Sequence, residues 1–214
     1  YDVILRECET GIEMPIEEDE HGAYIMNSKD LCLMPRLAEV IESHPDSLKI
    51  EGRNRSEYYV GSVVHAYRCA LDDYARDPEH FDPAKYMEML NVLESRGYTT
   101  AFFDGPVPPD AHNYESARSS SEYHAAGVVT GKTDSEITLE LRNEIRAGEE
   151  ITFVLPHSSV GTNVKLQQIL DAKSRQDLPK QSAGQHNAIL IPRAWVDDTV
   201  WNKISPLILA YKHK

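Results

Sequence analysis

The spacing of apolar residues changes about halfway along the chain. From Ser56 to about Ala75, Val60, Val63, Val64, Tyr67, Leu71 and Tyr74 recur at the helical period, which predicts an amphipathic helix with those side chains inward. Pro78 and Pro83 break that pattern. Pro83 suits the start of a second helix with Tyr86, Leu90 and Leu93 inward and Gly97 as its cap. Upstream, residues 23–26 form an apolar run of strand length, and Asn27 or Ser28 can cap a helical turn at residues 29–33. Pro35 then opens a helical piece with Leu37, Val40 and Ile41 on one face, and residues 47–51 read as a short strand closed by Gly52. The acidic residues 17–20 read as a solvated loop. Strand and helix in alternation predict a parallel sheet or barrel.

Beyond residue 122 the pattern is that of short strands. Residues 127–131, 137–141 and 150–155 have strand character, residues 146–148 form a turn, and Val164-Leu166-Ile169 and residues 188–191 add two more strands. Five or six strands at this spacing predict a small antiparallel barrel or sandwich. Residues 104–122, rich in Pro, Asp and Ser, read as a linker. The expected division is therefore an α/β region at 1–103, a linker at 104–122, an all-β domain at 123–194 and a tail at 195–214.

Composition narrows the class. The 214 residues are 41% hydrophobic and 27% charged, as in an ordinary globular protein, and no apolar run approaches the roughly 20 residues of a membrane helix. The net charge of −13 is uneven, with residues 1–150 strongly acidic and residues 151–214 mildly basic. That balance argues against bulk attraction to nucleic acid and leaves the basic third as the place for a local RNA contact. Three cysteines (Cys8, Cys32, Cys69) at irregular spacing argue against a disulfide framework, hence a reducing, cytoplasmic compartment. The chain begins without Met or a secretory leader, so it is expected to be a fragment of a longer protein.

Chemistry is sparse by motif. There is no G-x-S-x-G, H-E-x-x-H, C-x-x-C, Walker loop or G-x-G-x-x-G. The densest candidate is Lys49-Ile50-Glu51-Gly52-Arg53. At the carboxyl end of a parallel strand, Arg53 and Lys49 would bind an anion, Glu51 would accept a proton, and Gly52 would permit a close approach. The same pattern also suits a solvated strand end. Cys32 is either a small buried hydrophobe or a thiol ligand, and Cys69 reads as structural. His21 is either a ligand or base or an exposed loop residue, and His65 and His124 read as ordinary helix and strand side chains.

Residues 18–22 (EDEHG), 24–31 (YIMNSKDL), 47–53 (SLKIEGR), 56–73 with Tyr58, Tyr59, Tyr67 and Arg68, and 96–100 (RGYTT) resemble, in order, the collagenase-like peptidase family U-thirty-two. The acidic DEHG stretch resembles its tRNA hydroxylation branch. The resemblance implies that residues 1–103 are the C-terminal portion of a modified TIM-type barrel, followed by a small antiparallel β-barrel. It also implies an iron–sulfur cluster with Cys32 as a ligand and the other ligands upstream, and prephenate as a candidate co-substrate. The implied client is tRNA, hydroxylated at the wobble uridine to 5-hydroxyuridine. Lys49, Glu51 and Arg53 would be catalytic, with Asn27, Ser28, Lys29, Tyr58 and Tyr59 binding substrate. A homodimer is a candidate assembly, and the missing N-terminal portion of the same protein is an expected partner. A collagenase-like peptidase and a non-catalytic RNA- or protein-binding fragment stay open as alternatives.

Overall fold

The computed structural model describes residues 3–9, 11, 13–19, 22–24, 28–106, 111 and 121–214. They fall into two compact units, Tyr1–Asp46 with Glu94–Ser121, and Ser47–Leu93 with Glu122–Lys214. This division differs from the cut expected at 104–122, most of which lies outside the described residues.

In the first unit, β1 (Val3–Arg6), β2 (Glu13–Asp19) and β3 (Gly22–Tyr24) form an antiparallel sheet in chain order. Most of the acidic run expected as a loop is therefore strand. β4 (Asp30–Leu31) pairs in parallel with β5 (Tyr98–Thr99). The helical turn expected at 29–33 does not form, because its backbone finds partners across the chain: Asp30 N–H donates to Gly97 O at 2.8 Å and Cys32 N–H to Thr99 O at 2.9 Å. Gly97, at φ +83°, leads into β5 and is no helix cap. Pro35 does open a short 3-10 turn ahead of α1 (Leu37–Glu42). Cys32, Met34 and Leu37 are buried there. The Arg96 guanidinium holds the Asp30 carboxylate through Nε at 3.0 Å and Nη2 at 2.8 Å.

The second unit opens with α2 (Glu57–Arg76), started by Ser56, whose hydroxyl accepts from Tyr59 N–H at 3.2 Å. Its buried residues are Tyr58, Ser62, Val63, Ala66, Cys69 and Ala70, so it shares only Val63 with the expected inward face. The physical reason is size. Small residues let the helix approach the sheet, and a Cβ on Gly61 would lie 2.7 Å from Leu209 Cδ1. Val64 stands exposed. α3 (Ala84–Asn91) buries Tyr86 and Leu90 as its spacing predicts, with Leu93 just beyond. The Asp73 carboxylate ties the helices together, accepting from the Tyr86 hydroxyl, Lys85 Nζ at 2.9 Å and Arg76 Nη1 at 2.7 Å.

The strands that follow are β6 (Tyr123–Lys132), β7 (Glu136–Leu141), β8 (Ile145–Arg146), β9 (Glu150–Phe153) and β10 (Thr162–Lys165). After them come β11 (Ile169–Asp171), β12 (Asp177–Leu178), β13 (Lys180–Gln181), β14 (Ala188–Pro192), the short helix α4 (Asp198–Trp201) and β15 (Leu209–His213). Eight of the strands form one antiparallel sheet in the order β10-β9-β15-β6-β7-β14-β11-β12, curled into a half-barrel, and β13 pairs with β8. β7 alternates strictly, with Ile137, Leu139 and Leu141 inside. Register shifts between Val129 and Gly131 and between Ala210 and Tyr211 supply local bends that help the sheet to curl.

The expected tail at 195–214 is a correction. β15 lies between β9 and β6, and Trp201, Ile204, Ile208 and Ala210 belong to the core. Lys132 Nζ donates to the carbonyls of Trp201 and Ile204 and fixes α4 to β6. No helix among the described residues is long and apolar enough to cross a membrane.

Candidate functional site

The structure separates the residues that the sequence singled out. Lys49, Glu51 and Arg53 lie on an exposed segment of the second unit that is no strand. Glu51 Oε1 accepts from Arg53 N–H at 2.8 Å, and Arg55 N–H donates to Gly52 O at 2.9 Å, so the segment is a turn closed on itself. Gly52 does permit a close approach, but to α2: a Cβ there would lie 2.5 Å from Val60 Cγ2. Ser28, Lys29 and Cys32 belong to the first unit, where Lys29 N–H donates to Ala111 O at 2.9 Å. Asn27 and His21 lie outside the described residues. Tyr59 carries the Arg55 guanidinium 4.8 Å above its ring.

Cys32 follows β4 and is buried, Cys69 on α2 is buried, Cys8 is exposed, and none is in a disulfide. Among the described residues no three His, Cys, Asp or Glu side chains converge as metal ligands. An iron–sulfur cluster normally takes four thiolates, so the residues of this chain do not supply a complete set.

The chemistry that the second unit does assemble is a cleft of ≈ 380 Å³ walled by α2, α3, β9, β10, β15 and the loop between β9 and β10. That volume lies at the small end of ordinary ligand sites. Tyr58, Ser62 and His65 enter from one face of α2, about a turn apart, because residues at i, i+3, i+4 and i+7 share a helix face. Thr152, Asn163 and Tyr211 enter from the strands, and Met89, Val92, Val154 and Val160 give an apolar lining. Among the described residues Glu88 is the one lining carboxylate, and no Lys or Arg lines the cleft.

Several of these groups are already fixed. His65 Nε2 donates to Ser158 O at 2.9 Å, which ties the β9–β10 loop to α2 and sets the tautomer. Ser158 Oγ donates to Val160 O at 2.8 Å and Thr152 Oγ1 to Asn163 Oδ1 at 2.9 Å. Gly161 passes so close to Thr152 that a Cβ there would collide with its methyl group, and it would lie 3.2 Å from the Tyr211 hydroxyl, a tight contact.

Two groups are not fixed. Tyr58 Oη and Ser62 Oγ are buried and form no hydrogen bond of ordinary geometry with another described residue. Such an unpaired buried hydroxyl costs about 1–3 kcal/mol. Burial drives the Tyr58 phenol above its ordinary pKa and the Tyr211 phenol adds to that, while the Ser62 hydroxyl nearby pulls it back. Tyr211 is also raised by burial, opposed by Thr152 and reinforced by Tyr123. Both phenols are therefore neutral at physiological pH.

Sequence reasoning reached Tyr58 and missed the rest of the cleft. Ser62 was the available signal, being a polar residue one turn after Tyr58 in an otherwise apolar helical stretch. A thiol–imidazole pair is also here, with Cys69 Sγ 3.8 Å from His65 Nε2. Burial, then Asp73 and Asp72, push the Cys69 thiol up, so it holds its proton and is a poor nucleophile.

Residues 1–113 match Peptidase family U32. tRNA hydroxylation protein P1 of Bacillus subtilis is 33% identical over 159 residues, covering 73% of this chain and 37% of that protein. tRNA hydroxylation protein P of Escherichia coli is 34% identical over 165 residues, covering 76% of this chain and 36% of that protein. The match thus spans little more than a third of the length of these relatives. The solved C-terminal domain of a Geobacillus thermoleovorans U32 peptidase aligns at 20% identity and a TM-score of 0.33, covering 42% of this chain and 91% of that one. The family match takes in more than half of the sequence, and the chain belongs to Peptidase family U32.

Proposed function

We propose that the chain is part of a tRNA-modifying enzyme that hydroxylates the wobble uridine toward 5-hydroxyuridine. The observation that carries this reading is identity of 33% and 34%, over about three quarters of the chain, to two proteins named for tRNA hydroxylation. In this reading residues 1–103 belong to a modified TIM-type barrel completed by polypeptide outside the chain. The parallel pair β4–β5 supports it, since parallel strands are the unit of such a barrel. Cys32 contributes one thiolate of an iron–sulfur cluster whose other ligands this chain does not carry. Arg53 and Lys49 hold an anionic co-substrate, prephenate being the candidate, and Glu51 accepts a proton. Their exposure on one short turn supports access for such a ligand.

Peptide hydrolysis, which the family's name suggests, needs an activated nucleophile or a metal-bound water. Cys69 and His65 form a thiol–imidazole pair among the described residues, and the raised pKa of the buried thiol weighs against it. The experiment is to assay the purified full-length protein on both substrates. Saturable tRNA binding with intact collagen is the expected result. Collagen cleavage that copurifies with the protein and no tRNA binding would overturn the reading.

A further inference from the structure

We propose that the cleft of the second unit binds an uncharged nucleobase, presented by the RNA client or as a free nucleoside. The inference rests on the tRNA reading for its biological source, but its chemistry is set by the cleft. Tyr58 and Ser62 line the cleft and are 7% and 6% exposed, and their hydroxyls lie near one another with no hydrogen bond of ordinary geometry to a third described residue. Both oxygens are covered, so a small turn of either side chain toward the cleft would be needed to bring its hydroxyl, which can donate or accept, to a base edge.

The electrostatics select against anions. A phosphate or carboxylate entering the cleft would meet Glu88 and, among the described residues, no lining cation. A cationic ligand would find, among the described residues, only that one carboxylate, which is solvent-exposed. A neutral ligand with polar edges and an apolar face suits the lining best. Tyr211 provides the face: it is braced by Tyr58 at 6.3 Å between ring centroids and edge-on by Tyr123 at 5.5 Å. Bases stack on such rings whatever their sequence context. Met89, Val92 and Val160 would cover the other side of a planar ligand, and the His65–Ser158 tether holds the loop that carries Val160 in place. The volume is ample for one base.

The test uses the full chain with uridine, inorganic phosphate and a uridine-rich single-stranded RNA. Uridine is expected to shift the NMR signals of the Tyr58 and Tyr211 rings, and phosphate to leave them unmoved. Tyr211→Ala should weaken binding of the RNA about tenfold, within the range of lost base–aromatic stacking, without changing the salt dependence, since no phosphate contact is lost. Tyr58→Phe and Ser159→Trp guard against a folding defect. The first removes one hydroxyl and keeps the ring, and the second fills the cleft; both should weaken uridine binding while the circular dichroism spectrum is unchanged. Ring signals unmoved by uridine, with RNA affinity equal in all variants, would overturn the proposal even if tRNA is bound elsewhere. Displacement of uridine by phosphate or by a lysine-rich peptide would assign the cleft to another ligand and overturn it equally. Uridine binding in the cleft by a protein that ignores tRNA would instead sink the functional reading and leave the cleft assignment standing.

Discussion

The two units are stabilised in different ways. In the first, the described strands are short, the described buried side chains are few (Cys32, Met34, Leu37 and Ala111), and Leu31, Phe102 and Phe103 are exposed. Its described residues are joined by backbone ladders and by the Arg96–Asp30 pair, whose carboxylate is mostly buried. In the second, a continuous apolar core runs from Ala126 on β6 to Ala210 on β15 and fills the curl of the sheet. Burial of apolar area is the larger stabilising term, so the second unit is the firmer scaffold, and the preformed cleft stands on it.

The largest effect expected from this contrast is in the core. Phe153 is fully buried, and Phe153→Ala should cost about 3–5 kcal/mol, read as a shift in urea midpoint at constant slope. A cost below about 1 kcal/mol would mean that the core is not packed as described. Gly52→Ala is the next test. Its Cβ would press on Val60, so a loss of about 1–3 kcal/mol is expected, and no loss would show that the 48–53 turn does not rest on α2.

A smaller effect concerns Asp73. The Tyr86 hydroxyl first, and then Lys85, hold its carboxyl down at about 2. A carboxyl lowered on folding adds stability above its unfolded value near 4 and loses it as pH falls toward 2. Asp73→Asn should therefore flatten the acid limb of the stability curve between about pH 4 and 2, and an unchanged limb would remove Asp73 as the cause. The smallest effect is at the surface of the first unit. Phe102 is 76% exposed, and Phe102→Ser should change stability by no more than about 0.5 kcal/mol. A loss above 1 kcal/mol, read from the same denaturation curves, would mean that this side chain is covered in solution.

How much of this was legible in the sequence depended on the residue types involved. β7 could be read directly because Ile137, Leu139 and Leu141 alternate with polar neighbours. The start of α2 was equally plain, since Ser56 before an apolar periodic run is a cap. The face of α2 was misread because Gly61, Ser62, Ala66 and Ala70 carry little hydrophobic signal, yet they are what allows close packing. The ordered C-terminal stretch was missed because its core residues are scattered: Trp201, Ile204 and Ile208 precede β15 on a short helix and turns, and only burial unites them with Ala210. Residues 47–51 had the alternation of a strand but pair with no strand among the described residues. The cleft was the least legible feature of all. Ser, Thr, Asn and Gly line it, and in a sequence these residue types look like those of any loop.

The most direct test of the functional account is mass spectrometry of tRNA nucleosides from cells with the gene for the full-length protein, without it, and with it restored. The account predicts that 5-hydroxyuridine and its derivatives vanish on deletion, return with the wild-type gene, and stay absent with Arg53→Ala. Unchanged hydroxyuridine after deletion of the gene and of any redundant relative would contradict it.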